Sequence, residues 1–234
     1  MELSITLIII IITSLVSISA MNNQNMVNEM IFFPPSVNSG QWYRFFSCGL
    51  IHADLGHLGF NMLSLYLFGI GTATHATEGP AYSGVEYSFI YVFGDKGKLL
   101  YLGMYILALL ASLLPTYFKN RHNNHYRSLG ASGAVSAVIF AGILFDPLSG
   151  IGFFFLPVFI AGFIYAILFL VVSQWMERRG QDNINHSAHI FGALFGLAFT
   201  FFACRYIGGF NIFDYFMELI KNASPKDFIQ FGSN

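Results

Sequence analysis

Residues 127–146 read Arg127-Ser-Leu-Gly130-Ala-Ser132-Gly133-Ala-Val-Ser136-Ala137-Val-Ile-Phe-Ala141-Gly-Ile-Leu-Phe145-Asp146. Between the two charges lies an uncharged run, 128–145, that opens on a polar, glycine-rich hexapeptide and continues as apolar helix-forming sequence. A helix crossing a bilayer needs about 20 mostly apolar residues. This run is short for that task, so its helix is expected to begin below the membrane surface. A helix end held at membrane depth, with a hydroxyl between glycines, marks a place for chemistry.

Working outward, the chain supports a membrane setting for that helix. Of its 234 residues 55% are hydrophobic and only 10% charged, against roughly 25% charged in soluble domains. Charges are costly at membrane depth, so they bracket the crossings. Six uncharged windows follow: 3–28, 55–77, 99–118, 128–145, 147–176 and 183–204. The expected fold is therefore an all-α membrane bundle of six transmembrane helices, forming one domain over 1–234. A cleaved signal peptide is the alternative for the first window, since Ser17-Ile-Ser-Ala20 could be cut, but the basic n-region is missing and a retained helix is favoured.

Between the first two windows stand Pro34-Pro35 and Gly40-Gln-Trp-Tyr-Arg44, too apolar for a solvated loop and too broken for a crossing. This first loop is expected to lie along the membrane, with Trp42 and Tyr43 at headgroup depth. The connection 71–97 is read as a loop touching the membrane. Basic residues divide six against five between the two sides, which does not orient the chain under the positive-inside rule. The net charge of -1 and the lack of a basic block argue against a nucleic-acid partner. Cys48 and Cys204 fall near opposite ends of the bundle and are expected to be free thiols.

Polar side chains inside the windows collect at one end of three helices. His57 and Asn61, four apart on the second, share a face; alone they read as an interhelical clamp. Ser132 alone reads as small-residue packing, and His189 alone as a satisfied structural histidine. Together they read differently, because a buried hydroxyl becomes a nucleophile when a histidine lies within hydrogen-bond reach. Gly133, Ala137 and Ala141 recur every four residues after Ser132, and Ala188, Gly192 and Gly196 do so beside His189. Two such stripes let helices approach closely. The helix N-terminus at Ser132 also offers a favourable dipole and a backbone N–H to developing negative charge.

The ordered set Trp42-Tyr-Arg44, His52-x4-His57-x3-Asn61, Gly130-x-Ser132-Gly133 and Ala188-His189-x2-Gly192-x3-Gly196 resembles the rhomboid family of intramembrane serine proteases over 42–206. The resemblance implies a rhomboid-like six-helix fold, with Ser132 as nucleophile and His189 as general base. By the same resemblance the Ser132 N–H with His57 and Asn61 forms the oxyanion hole. His52, Trp42, Arg44, Gly130, Gly133, Gly192 and Gly196 are then structural supports. The family's aromatic residue four after the nucleophile is Ser136 here, so the ring supporting His189 must come from elsewhere. The family's glutamate in the 71–97 region could be Glu78 or Glu86.

The resemblance implies an endopeptidase of the cell (inner) membrane that cuts transmembrane segments of other proteins, its site opening to the outer face. No cofactor is expected. A metal is disfavoured because His122-x2-His125 and His186-x2-His189 have no intramembrane carboxylate to join them. An aspartyl protease would need two carboxylates at membrane depth, and no window holds any. An inactive rhomboid-like binding factor and a small transporter remain the alternatives, and the Ser132–His189 pair discriminates against both.

Overall fold

The structure is a computed structural model that describes residues 4–71, 84–153, 156–180 and 184–231. It is mostly helical. α1 (Ile5–Met21) leads into three short helices, α2 (Gln24–Met30), α3 (Pro34–Asn38) and α4 (Arg44–Ser47), and a 3-10 turn at Cys48–Leu50. Then come α5 (Leu55–Gly69), α6 (Val85–Phe93), α7 (Gly97–Asn120) and α8 (Ser132–Phe145). A hairpin of β1 (Gly150–Phe153) and β2 (Leu156–Ala161) precedes α9 (Gly162–Arg179) and α10 (His186–Tyr206). The chain closes with α11 (Ile212–Lys221), α12 (Pro225–Phe228) and β3 (Ile229–Phe231).

Eleven of the fourteen residues of α8 are buried, which makes it the axis of the molecule. α10, α7 and α5 pack around it, and α1 packs on α5. Among the described residues two helical stretches, Val85–Asn120 and His186–Tyr206, are long and apolar enough to cross a membrane; Ile5–Met21 and Ser132–Phe145 are shorter apolar helices. α1 turns polar residues inward and apolar ones outward. On α1, Thr6, Thr13 and Ser17 face inward while Ile11, Ile12, Leu15 and Ile18 face out.

Three expectations need correction. The all-α description omits an antiparallel sheet, ordered β1-β2-β3, in which Phe159 pairs with Gln230. For the same reason the window 147–176 is not one helix. Its first part, rich in aromatic and β-branched residues and interrupted by glycine and proline, follows strand preference, and the helix begins only at Gly162. In the stretch 71–97 the described part is helical rather than a loop, with α6 running directly into α7 through a 3-10 turn. The second window's helix ends at Gly69, and Glu78, with the rest of 72–83, lies outside the described residues.

α6 is fixed by a carboxylate. Glu86, buried in its first turn, accepts from Ser4 Oγ (2.6 Å), Ile5 N–H (2.8 Å) and Thr6 N–H (3.0 Å). These amides belong to the first turn of α1, which would otherwise lack partners, and the negative charge suits the helix dipole there. At the opposite end of α1, Ser17 meets His52.

The first loop is braced internally by Arg44. Its guanidinium is buried and donates to the carbonyls of Asn28 (2.9 Å) and Ile31 (2.7 Å) and to Gln41 Oε1 (2.6 Å). Trp42 and Tyr43 are half exposed, and the Trp42 ring packs on Phe45 and Tyr117. Cys48 and Cys204 are both free and buried.

Candidate functional site

Three helix N-termini meet at one end of the bundle. α5 is capped by Asp54, whose Oδ1 accepts from the His57 N–H at 2.8 Å. α10 is capped by Asn185, whose Oδ1 accepts from the Ala188 N–H at 3.0 Å. No side chain caps α8. Its first amides, including that of Ser132, are thus available to an external acceptor, and the dipole at that end favours negative charge.

His189 Nε2 lies 2.8 Å from Ser132 Oγ, although 57 residues separate them in sequence. Both residues are half-buried. The contact depends on how closely α8 and α10 approach. A Cβ at Gly192 would overlap the Gly133 carbonyl oxygen and lie 2.8 Å from its carbonyl carbon. At Gly196 it would overlap the Ala137 carbonyl oxygen and lie 2.6 Å from the Ala137 Cα. Backbone thus rests on backbone at two successive turns, and any side chain larger than hydrogen would force the helices apart. Gly133 is closed in from the other side, where a Cβ would meet Ser112 of α7 at 2.6 Å.

Gly130 turns the chain into α8 with φ of +113°, a conformation that favours glycine. A Cβ there would also lie 2.8 Å from His57 Cε1 and 2.9 Å from Nε2, so the His57 ring lies against the turn that leads into Ser132. Asn61 is buried one turn further along α5, and its Nδ2 donates to the His57 carbonyl at 3.0 Å. That bond uses one of its two amide hydrogens, leaving a second donor.

His52 sits behind this group. Its Nε2 accepts from the Ala131 N–H at 3.3 Å, which leaves the proton on Nδ1 to be donated to Ser17 Oγ at 3.3 Å. Burial, reinforced by neighbouring His57, pulls its pKa down to about 4. The ring is therefore neutral at pH 7. It ties α1 to the turn before Ser132 and packs edge-on against His57 at 4.9 Å.

Ser136 is buried one turn after Ser132 and supplies no ring. The aromatic neighbour of His189 is instead Phe169 of α9, with centroids 6.4 Å apart and planes at 31°, backed by Phe140 and Tyr165. His186 stands edge-on to His189 at 5.8 Å. Two further residues escaped the sequence reading. Besides capping α10, Asn185 accepts from Thr116 Oγ1 (3.1 Å) and reaches Ser128 Oγ at 3.5 Å. Glu177, near the end of α9, accepts from the Ser187 N–H (3.1 Å) and Lys119 Nζ (2.9 Å). Asn185 carried a legible signal, being a capping residue three positions before Ala188 at the head of an apolar run. Phe169 and Glu177 carried none.

Among the described residues no cluster of three or more His, Cys, Asp or Glu side chains is arranged to hold a metal ion. His122 and His125 lie exposed in the connection between α7 and α8.

Comparison with known proteins bears on this geometry. The sequence model of the family described as Rhomboid domain matches residues 39–206, which contains all of these motifs. A similar protein is the RHOMBOID-like protein 12, mitochondrial, of Arabidopsis thaliana, 27% identical over 186 residues. The match covers 74% of this chain and 49% of that relative, so the chain spans about half the relative's length.

Proposed function

Because the chain belongs to the rhomboid family, whose members are embedded in membranes, we propose that it is an intramembrane serine endopeptidase that cleaves transmembrane segments of other membrane proteins. The observation that carries this reading is the 2.8 Å contact between Ser132 Oγ and His189 Nε2 at an uncapped helix N-terminus. A transporter or a purely binding relative has no use for a hydroxyl aligned with a base in this way.

The six long helices α1, α5, α7, α8, α9 and α10 are read as crossing the bilayer. Apolar faces turned outward on α1 and on α9, where Ile167, Leu168, Val171 and Val172 are exposed, support that reading, since lipid solvates such faces and water does not. The first loop then lies at the interface, and the site opens to the outer aqueous phase that supplies the hydrolytic water.

In the reaction His189 Nε2 accepts the Ser132 hydroxyl proton as Oγ bonds to the scissile carbonyl carbon. The carbonyl oxygen takes up the electron pair and is held by the Ser132 N–H, the His57 ring and the second Asn61 amide hydrogen. Collapse expels the amine, which leaves with the proton from His189, and an ester to Ser132 remains. Water then attacks that ester, with His189 taking its proton and returning it to Oγ. His52, Arg44 and Trp42 act as supports of the loop and turn, and Gly130, Gly133, Gly192 and Gly196 as the means of close approach.

Reconstitution tests this. Purified protein in liposomes with a tagged single-span substrate bearing small, helix-breaking residues should cleave it, and Ser132→Ala should not. Equal cleavage by Ser132→Ala would assign the activity elsewhere.

A further inference from the structure

The outward side of α9 and α10 carries a groove that the proposed chemistry does not use. Leu170, Gln174 and Trp175 of α9 line it against Ile190 and Leu194 of α10, and Arg178 stands at its end. Its volume is about 510 Å³. The eight-residue advance from Leu170 to Arg178 makes it about 12 Å long, at about 1.5 Å per residue.

The lining is graded along that length. Leu170 and Leu194 form an apolar body, the amphipathic Gln174 and Trp175 follow, and cations close the end. Arg179 lays its guanidinium over the Trp175 ring, 3.7 Å from the centroid. Arg178 is exposed and has no ion-pair partner among the described residues. Neighbouring Glu177 does not neutralise it, because that carboxylate is engaged with Lys119 and the Ser187 N–H.

We infer that this groove binds an anionic phospholipid, with one acyl chain along Leu170 and Leu194 and the phosphate at Arg178. The inference rests on the membrane reading above. A zwitterionic choline headgroup would bring its own cation to Arg178 and Arg179, whereas an anionic headgroup brings only the complementary charge. One arginine near an anionic headgroup is worth about fivefold in binding.

The test uses the full chain purified in detergent, incubated with equal amounts of phosphatidylglycerol and phosphatidylcholine and read by native mass spectrometry. The wild-type protein should retain one phosphatidylglycerol in several-fold preference over phosphatidylcholine. Arg178→Gln should lower that preference about fivefold, and Leu194→Trp, which fills the groove, should lower retention of both lipids. Equal retention of the two lipids, retention of neither, or an unchanged preference in Arg178→Gln would overturn the assignment. Detergent-phase partitioning and fluorophosphonate labelling of the same samples separate this outcome from failure of the proposed function. Protein that partitions and labels without lipid preference refutes the groove alone, while protein that does not partition refutes both.

Discussion

Gly192→Ala adds one methyl group at the tightest contact between α8 and α10. The new Cβ would overlap the Gly133 carbonyl oxygen and sit 2.8 Å from its carbonyl carbon, where ordinary contact begins at 3.4 Å. Both partners are backbone, so no side chain can swing aside, and the helices must separate by about 1 Å in this close-packed region. Gly133 follows Ser132 directly and Gly192 lies one turn after His189, so the 2.8 Å dyad contact would open to about 3.8 Å, beyond hydrogen-bond range. Overpacking costs about 1–3 kcal/mol, partly offset by about 0.5–1 kcal/mol from replacing a helical glycine. A catalytic misplacement of about 1 Å lowers turnover by about 10²-fold. The assay is single-turnover cleavage of a reconstituted substrate, with thermal unfolding measured on the same sample. Gly103→Ala on α7 is the control, because a Cβ there meets nothing within 4 Å; it should be neutral or slightly stabilising. Full turnover and unchanged thermal stability in Gly192→Ala would refute the close approach, and full turnover with lowered stability would refute its link to the dyad.

Other consequences are open to equally direct tests. Asn61→Ala removes one of the proposed oxyanion donors and should lower turnover by about 10²–10³-fold with little change in substrate binding; full turnover in the folded fraction would remove Asn61 from the site. Phe169→Leu should lower turnover by up to about 10²-fold through loss of His189 orientation, with Phe169→Tyr restoring it, and equal loss in both variants would contradict ring support. His52 has a folded pKa of about 4 against 6.5 unfolded, so the unfolded chain binds the extra proton between those values. Its stabilisation is therefore complete above pH 6.5 and declines by about 3 kcal/mol towards pH 4; thermal unfolding of the wild type should follow that slope, and His52→Gln should flatten it. The buried Cys48 thiol, its pKa pushed up to about 12, should resist alkylation at pH 8 in the native protein, and denaturation without reductant should expose two titratable thiols; rapid native alkylation of Cys48 would contradict its burial.

What was legible in the sequence follows from the range of the interactions involved. The Ser132–His189 contact could be anticipated because each helix carries its own small-residue stripe, and two local patterns of equal spacing dictate how the helices meet. The cap residues Asp54 and Asn185 are local signals as well. α6 was missed because its anchor, Glu86, pairs with amides of α1 some 80 residues earlier, and no local pattern announces that. The hairpin before α9 was hidden by composition, since a short run of aromatic and β-branched residues reads equally as buried helix or strand. Ser136 told that the ring beside His189 had to come from another helix but could not say which. Phe169 became visible only once α9 was packed against α10.

The central claim is that Ser132 is a nucleophile activated by His189. Detergent-solubilised protein exposed to a serine-directed fluorophosphonate, digested and mapped by mass spectrometry, tests it most directly. One adduct is expected, on Ser132, lost in Ser132→Ala and strongly slowed in His189→Ala although the serine remains. Labelling that persists in Ser132→Ala, or proceeds at the wild-type rate in His189→Ala, would contradict it.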